Sequence, residues 1–351
     1  MKNPWKLVME KFGPPKVYVT LLLLFFIVAA LFQKQDVPTL FTAVLVRVCM
    51  NSVLVLSMVP GILAGIGPNF AVSVGMVFGL LAAVMSIQFG MKGYGGLFFA
   101  IVLGAIFAAI VGWLYGILLN RVKGDEMAIA TYTGFSIVSL MTIAWVVLPF
   151  THPLMIWPYG GTGLRATISL EGTYKHLLDN LIPIAMPGTH GNSILPIGTA
   201  IVFVVIAFIL WFYLRTKAGV ALKTAGSNPK FATASGVDVD RQRVIGTTIS
   251  MVLGAIGIII YAQSFGFLQL YTAPLNMPFW FVSAILIGGA TARKANVSNV
   301  ISGSFLFFAL LAIALPVINK FMTEGNFSEI VRIVVSNGVI LYALTQVGGK
   351  E

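Results

Sequence analysis

Apolar runs, each about as long as a bilayer core is thick, follow one another along almost the whole chain and leave little room for a soluble fold. About 20 apolar residues in a helix cross the hydrocarbon layer. Ten such runs are read near 17–33, 39–60, 68–89, 94–119, 127–149, 194–214, 243–264, 275–291, 297–318 and 327–346. They are near-continuous rather than alternating, which selects helices over a β-barrel. Only 9% of the 351 residues are charged, against about 25% in a soluble domain. The expected fold is all-α: a polytopic transmembrane helical bundle of about ten spans, forming one domain over residues 1–351.

The positions of the basic residues orient that bundle. Of the 22 Lys and Arg, fifteen fall between spans on the side of the N-terminus and five on the other side, with Arg47 and Arg332 inside spans. Lys and Arg accumulate in cytoplasmic loops, so both termini are expected in the cytoplasm. The net charge of +11 is thereby accounted for by the membrane and does not call for nucleic acid. The basic start before residue 17 resembles a signal sequence, but no small-residue cleavage site follows and the first run is read as a retained helix. The single cysteine, Cys49, sits in an apolar run and reads as a small buried hydrophobe.

The longest non-apolar stretch, 150–192, is expected to be external. It holds His152, His176 and His190 with Trp157 and Tyr159, too widely spaced for a metal site, and its middle, ISLEGTYKHLLDNL, is expected to form a short helix on the membrane surface. Signatures of catalysis are missing: there is no GxxxxGK[ST] phosphate loop, no HExxH and no GxSxG. Asp125 and Glu126 follow Arg121 and Lys123 and read as a local ion pair or helix start. No carboxylate stands at mid-span depth, where a proton-coupled carrier needs one. The energy source therefore has to lie elsewhere.

Several stretches are candidates for a translocation pathway. GILAGIGPNFAVSVGMVFG (61–79) combines five glycines with Pro68, Asn69 and Ser73. Gly61/Gly65, Gly75/Gly79 and Gly112/Gly116 fit small-xxx-small helix packing. The break at 67–69 fits either packing or a pathway lining, since broken helices at membrane depth need protein or a wet cavity around them. Arg47 with Asn51 one turn on, and Arg332 after Glu329, are either functional intramembrane charges or structural, interface-reaching ones. PLNMPFWF (274–281) is an aromatic belt or a stacking surface. The expected lining residues are Arg47, Asn51, Asn69, Phe70, Ser73 and Trp280.

One polar loop remains, 215–243, holding six basic residues. In AGSNPKFATASG, Asn228 suits an N-cap, Pro229 the first helical position and Gly236 the residue past the end, which predicts a helix over PKFATAS with Phe231 as its only large apolar side chain. So short a helix needs tertiary packing. Either a partner's groove supplies it, or the helix is a connector packed on its own protein.

AGSNPKFATASGVDVDRQRVIGTTISMVLGAIGIIIYAQSFG, followed by FVSAILIGGATARKANVSNVISGSFL, resembles the second half of bacterial ABC importer permeases of the ribose/galactose, nucleoside and branched-chain amino-acid group. Gly226, Asn228, Ala232, Ser235, Gly236 and Val237 match the loop motif of that group, and Ile287, Gly288 and Gly289 match its "VLGG". The first half keeps only Ser73, Val74 and Gly75 of the usual "GGIDLSVG", and ATARKANVSN replaces a Gly-rich turn, which leaves the substrate open. The resemblance implies about ten spans in the bacterial cytoplasmic (inner) membrane, and pairing with a second permease copy or a paralogue. It also implies two ABC ATPase subunits beneath, which would bind the ATP and Mg, and an extracytoplasmic substrate-binding protein above. No cofactor of the chain's own is implied. The loop helix would be the ATPase-coupling element, carried by Asn228, Pro229, Lys230, Phe231, Ala232, Thr233, Ser235 and Gly236. The expected cargo is a simple sugar, with a nucleoside or branched-chain amino acid as alternatives. An ion-coupled secondary transporter and a membrane scaffold are the rival classes.

Overall fold

The computed structural model describes residues 13–157, 163–185 and 194–321, with positions 334, 337, 338 and 341 beyond them. Helices α1 (Pro14–Phe32), α2 (Val37–Leu56), α3 (Met58–Leu63), α4 (Val72–Gln88), α5 (Gly93–Arg121) and α6 (Glu126–Val147) form the first half. The second half holds α7 (Ile197–Tyr213), α8 (Lys217–Ser227), α9 (Pro229–Ala234), α10 (Val239–Phe265), α11 (Thr272–Ile287) and α12 (Val297–Phe321). Helices occupy nine of the ten expected span positions; the tenth, 327–346, lies outside the described residues except at 334, 337, 338 and 341, and Glu329, Arg332, Tyr159 and His190 lie outside them too.

Among the described residues six helical stretches are long and apolar enough to cross a membrane, α2 and α3 counting together. A seventh is reached only if α7 is joined to α8 across a 78° bend, while α4 and α11 are shorter apolar helices. The short ones are affordable because they sit inside the bundle: α4 and α11 are buried along most of their length. Helix α10 is the axis, packing against α5, α4 and α2, with α12 closing the other side against α2, α11 and α1.

Small residues set the distance between these helices. A Cβ on Gly79 would stand 2.8 Å from Ala255 Cα, one on Gly112 3.0 Å from Thr248 Cα, and one on Gly116 2.8 Å from Val244 Cα. The Gly75/Gly79 and Gly112/Gly116 stripes thus both seat α10, in the close approach that replaces hydrophobic driving force within lipid.

The external segment departs from expectation. Its middle is not a surface helix: Thr167–Ser169 forms strand β1, antiparallel to β2 (Phe267–Gln269), with Ile168 opposite Leu268. Only Asp179–Leu181 is helical, as a 3-10 turn. The reason is burial, since Leu170 and Tyr174 are fully enclosed and the Tyr174 hydroxyl donates to the Ala83 carbonyl at 3.3 Å. Among the described residues the fold is therefore helical with one small two-stranded ribbon rather than strictly all-α.

A buried carboxylate that sequence reading passed over anchors this segment. Asp179 accepts from Thr199 Oγ1 at 2.5 Å, Ser264 Oγ at 2.8 Å and His176 Nδ1 at 3.2 Å, and so ties the loop to α7 and α10. Burial by itself would raise the Asp179 carboxyl, but these three hydrogen bonds outweigh it and hold the group below the ordinary carboxylate range. A carboxyl lowered on folding contributes stability above its unfolded value, about 3.9. That contribution disappears as pH falls through the folded value. Thermal melts across pH 3–7 (approximate range) are expected to show the native chain losing stability through and below about pH 4. Asp179→Asn should melt lower at pH 7 and respond less to acid.

Candidate functional site

The span that α2 and α3 form is followed by a stretch without helical geometry. After α3 the chain leaves helical geometry at 64–71 and resumes at Val72. Asn69 stabilises the restart: its Oδ1 accepts the Ala71 N–H at 3.1 Å, and its Nδ2 donates to Ser250 Oγ at 3.4 Å. Because Gly75 lies against Met251, midway along α10, the start of α4 stands near the middle of the bundle.

At that depth three helices converge. Phe70 and Ser73 meet Thr131, Gly134 and Phe135 of α6 and Pro274, Leu275, Pro278 and Phe279 of α11, around a space of about 10 Å³. That is about the room one water needs, so the three helices meet here with no wider opening. Phe279 stands at its centre, with ring centroids 5.2 Å from Phe70 and 6.1 Å from Phe135. Both hydroxyls are satisfied by backbone, Ser73 donating to the Phe70 carbonyl and Thr131 to that of Met127.

Of the six expected lining residues, Phe70 and Ser73 line this constriction. Asn69 is fully buried beside it as a cap, and Trp280 packs against the core while its neighbour Phe279 faces the space. Arg47 and Asn51 lie on α2, away from it; Asn51 Nδ2 donates to the Arg47 carbonyl at 2.8 Å, and its buried Oδ1 has no hydrogen-bond partner. Sequence reasoning missed Thr131, Gly134 and Phe135, because α6 carries no break or charge at that level.

The polar loop 215–243 holds more helix than expected. Ahead of the short one runs α8, capped by Thr216, whose Oγ1 accepts the Gly219 N–H at 3.3 Å. Helix α9 begins as the sequence reads, with Pro229 at its first turn and Asn228 Oδ1 accepting the Phe231 N–H at 3.1 Å. It ends one residue earlier, at Ala234, with Ser235 as C-cap and Gly236 at φ +79°. Ala232 is its buried contact; Lys230, Thr233 and Phe231 face outward, and Phe231 is 60% exposed.

Two glycines join this loop to the broken span. A Cβ on Gly65 would lie 2.9 Å from Gly226 Cα, and one on Gly226 would lie 2.6 Å from Gly65 N and overlap the Leu63 carbonyl. Gly226 is the penultimate residue of α8, five residues before Phe231, and Gly65 lies in the 64–71 stretch that also holds Phe70. Backbone touches backbone, so movement of one displaces the other.

A buried ion pair braces the same end. Arg243 Nη2 meets Glu126 Oε1 at 2.5 Å, and Arg243 Nε donates to Asn120 Oδ1 at 3.1 Å. Glu126 therefore pairs across the fold rather than with Arg121 or Lys123, whose ammonium lies 2.6 Å from Asp240 instead. Asp125 fulfils the helix-start role, as the N-cap residue of α6.

The bundle of apolar helices thus holds a non-helical stretch near its centre, in contact with the helix that leads into the exposed, capped α9. The family described as branched-chain amino acid transport system / permease component matches residues 40–344, and the chain belongs to that family. It is similar to the nucleoside ABC transporter permease protein NupC of Lactococcus lactis subsp. cremoris, at 24% identity over 267 residues, 74% of this chain and 82% of the relative. It is also similar to the autoinducer 2 import system permease protein LsrC of an Enterobacter species, at 24% over 260 residues, 73% of this chain and 65% of that one. A shorter match, 30% over 91 residues (26% of this chain, 28% of the relative), is to the guanosine ABC transporter permease protein NupQ of Bacillus subtilis. No solved structure matches the chain.

Proposed function

We propose that the chain is the permease subunit of an ATP-driven ABC importer in the bacterial cytoplasmic membrane, with ten spans and both ends in the cytoplasm. The observation that carries this reading is the Gly65–Gly226 contact, which seats α8, the helix leading into the exposed α9, against the 64–71 stretch that holds Phe70. ATP and Mg would be bound by two partner ATPase subunits, and the chain itself would carry no ATP site. A second permease copy or paralogue would complete the channel, and an extracytoplasmic binding protein would deliver the cargo. On ATP binding, the ATPase cleft would displace α9. Gly226 would then push the 64–71 segment and draw Phe70 away from Phe279.

The cargo is a small polar solute. We favour a nucleoside, the class named in two of the relatives, because Phe70, Phe135 and Phe279 offer flat faces to a base. The second reading is a simple sugar of ribose/galactose type, since the loop motif at 226–237 is shared by the sugar and nucleoside permeases of the group that the chain resembles. Proteoliposomes holding the chain, its ATPase and its binding protein are expected to take up labelled adenosine or uridine only when ATP is enclosed. Uptake of ribose but not nucleoside would select the sugar. Gradient-driven uptake by the isolated chain would sink the ABC reading in favour of a secondary transporter.

A further inference from the structure

At the end of the bundle opposite α9, a cleft of about 260 Å³ opens where α4 meets α5, lined among others by Lys92, His152, Glu171 and Thr173. Its walls are fixed. Gln88 Oε1 accepts the N–H groups of Thr151 and His152 at 3.1 and 3.2 Å, and the Gly93 N–H donates to the Thr173 carbonyl at 3.0 Å. Gly90 and Gly172 keep it open, since a Cβ on either would meet nothing within 4 Å.

The charges inside it are unmatched. Neither Lys92 nor Glu171 forms an ion pair with a described residue, with each other included, and neither charged end has a described hydrogen-bond partner. His152 Nδ1 accepts the Leu154 N–H at 3.3 Å, which places a ring proton on Nε2 as a further donor. Beside the cleft Phe89, Tyr94 and Phe98 are exposed at 61%, 53% and 69%. Aromatic side chains at a span end mark the headgroup level of the membrane.

We propose that this cleft binds a zwitterion bearing a primary ammonium and an oxyanion, the chemistry of a phosphatidylethanolamine headgroup. Lys92 and the His152 Nε2–H would hold the phosphate, Glu171 would accept from the ammonium, and the acyl chains would run down past Phe89 and Phe98. A trimethylammonium headgroup has no N–H to give Glu171, and phosphatidylglycerol brings no cation to it.

The test uses the delipidated full-length chain with equal amounts of phosphatidylethanolamine, phosphatidylcholine and phosphatidylglycerol, read by native mass spectrometry. Phosphatidylethanolamine should be retained about two- to fivefold over the others, the range one exposed charge-assisted hydrogen bond supports. Glu171→Gln should remove the preference and Lys92→Met should weaken retention of all three, with melting temperatures unchanged because both side chains are exposed. Equal retention of phosphatidylethanolamine and phosphatidylcholine, or a preference that survives Glu171→Gln, overturns the proposal. A second arm adds O-phosphoethanolamine alone. A melting shift there, lost in Glu171→Gln, without lipid retention keeps the zwitterion site and assigns it to a soluble ligand; no response in either arm overturns it.

Discussion

Phe231→Asp is expected to abolish ATP-driven uptake while leaving the chain folded. The side chain is 60% exposed, and the stability of α9 comes from its Asn228 cap and the buried Ala232 rather than from the ring. Replacing an exposed residue away from such features changes stability by no more than about 0.5 kcal/mol. Against a partner's groove the balance reverses. A buried aromatic anchor contributes about 2 kcal/mol or more, and a carboxylate in its place adds the cost of desolvating a charge. Co-purification of the ATPase and transport should therefore fall together, with an unchanged melting temperature as the control. If the ATPase stays attached and uptake persists, α9 is a connector packed on its own protein and the coupling assignment is lost.

Glu126→Ala should be the most destabilising single change at the α9 end of the bundle. It leaves the Arg243 guanidinium, 10% exposed, without its carboxylate. Breaking a fully buried pair by removing one partner costs about 3–5 kcal/mol, and this part-buried one less, whereas replacing both by apolar groups is often neutral. Glu126→Ala is thus expected to lower the melting temperature in detergent sharply, and Glu126→Met with Arg243→Met to recover most of the loss. A single variant that melts like the native chain would show that Asn120 and solvent already satisfy Arg243.

How far each feature was legible follows from the range of the forces that make it. The caps of α9 act over three residues, so Asn228, Pro229 and Gly236 announce the helix by themselves. The Gly75/Gly79 and Gly112/Gly116 stripes read as packing surfaces because i, i+4 spacing marks one face of a helix. The family resemblance likewise rests on a contiguous motif between Gly226 and Val237. Helix α8 escaped because its weakly apolar, Lys-bearing sequence looks like loop until it folds onto α3 and α10. The strand at Thr167–Ser169 escaped because its partner lies about a hundred residues on, past four α-helices.

The sequence by itself determined a helical membrane bundle, the place and caps of its exposed short helix, and the absence of familiar catalytic motifs. Hydropathy and capping are local, and need no knowledge of neighbours. Only the tertiary structure decided that Phe279 rather than Trp280 faces the constriction, that Phe135 joins it, and that Glu126 pairs with Arg243. It alone brought Gly226 against Gly65. Each of these depends on how one helix is rotated and seated against another, a choice made by contacts between residues far apart in the chain.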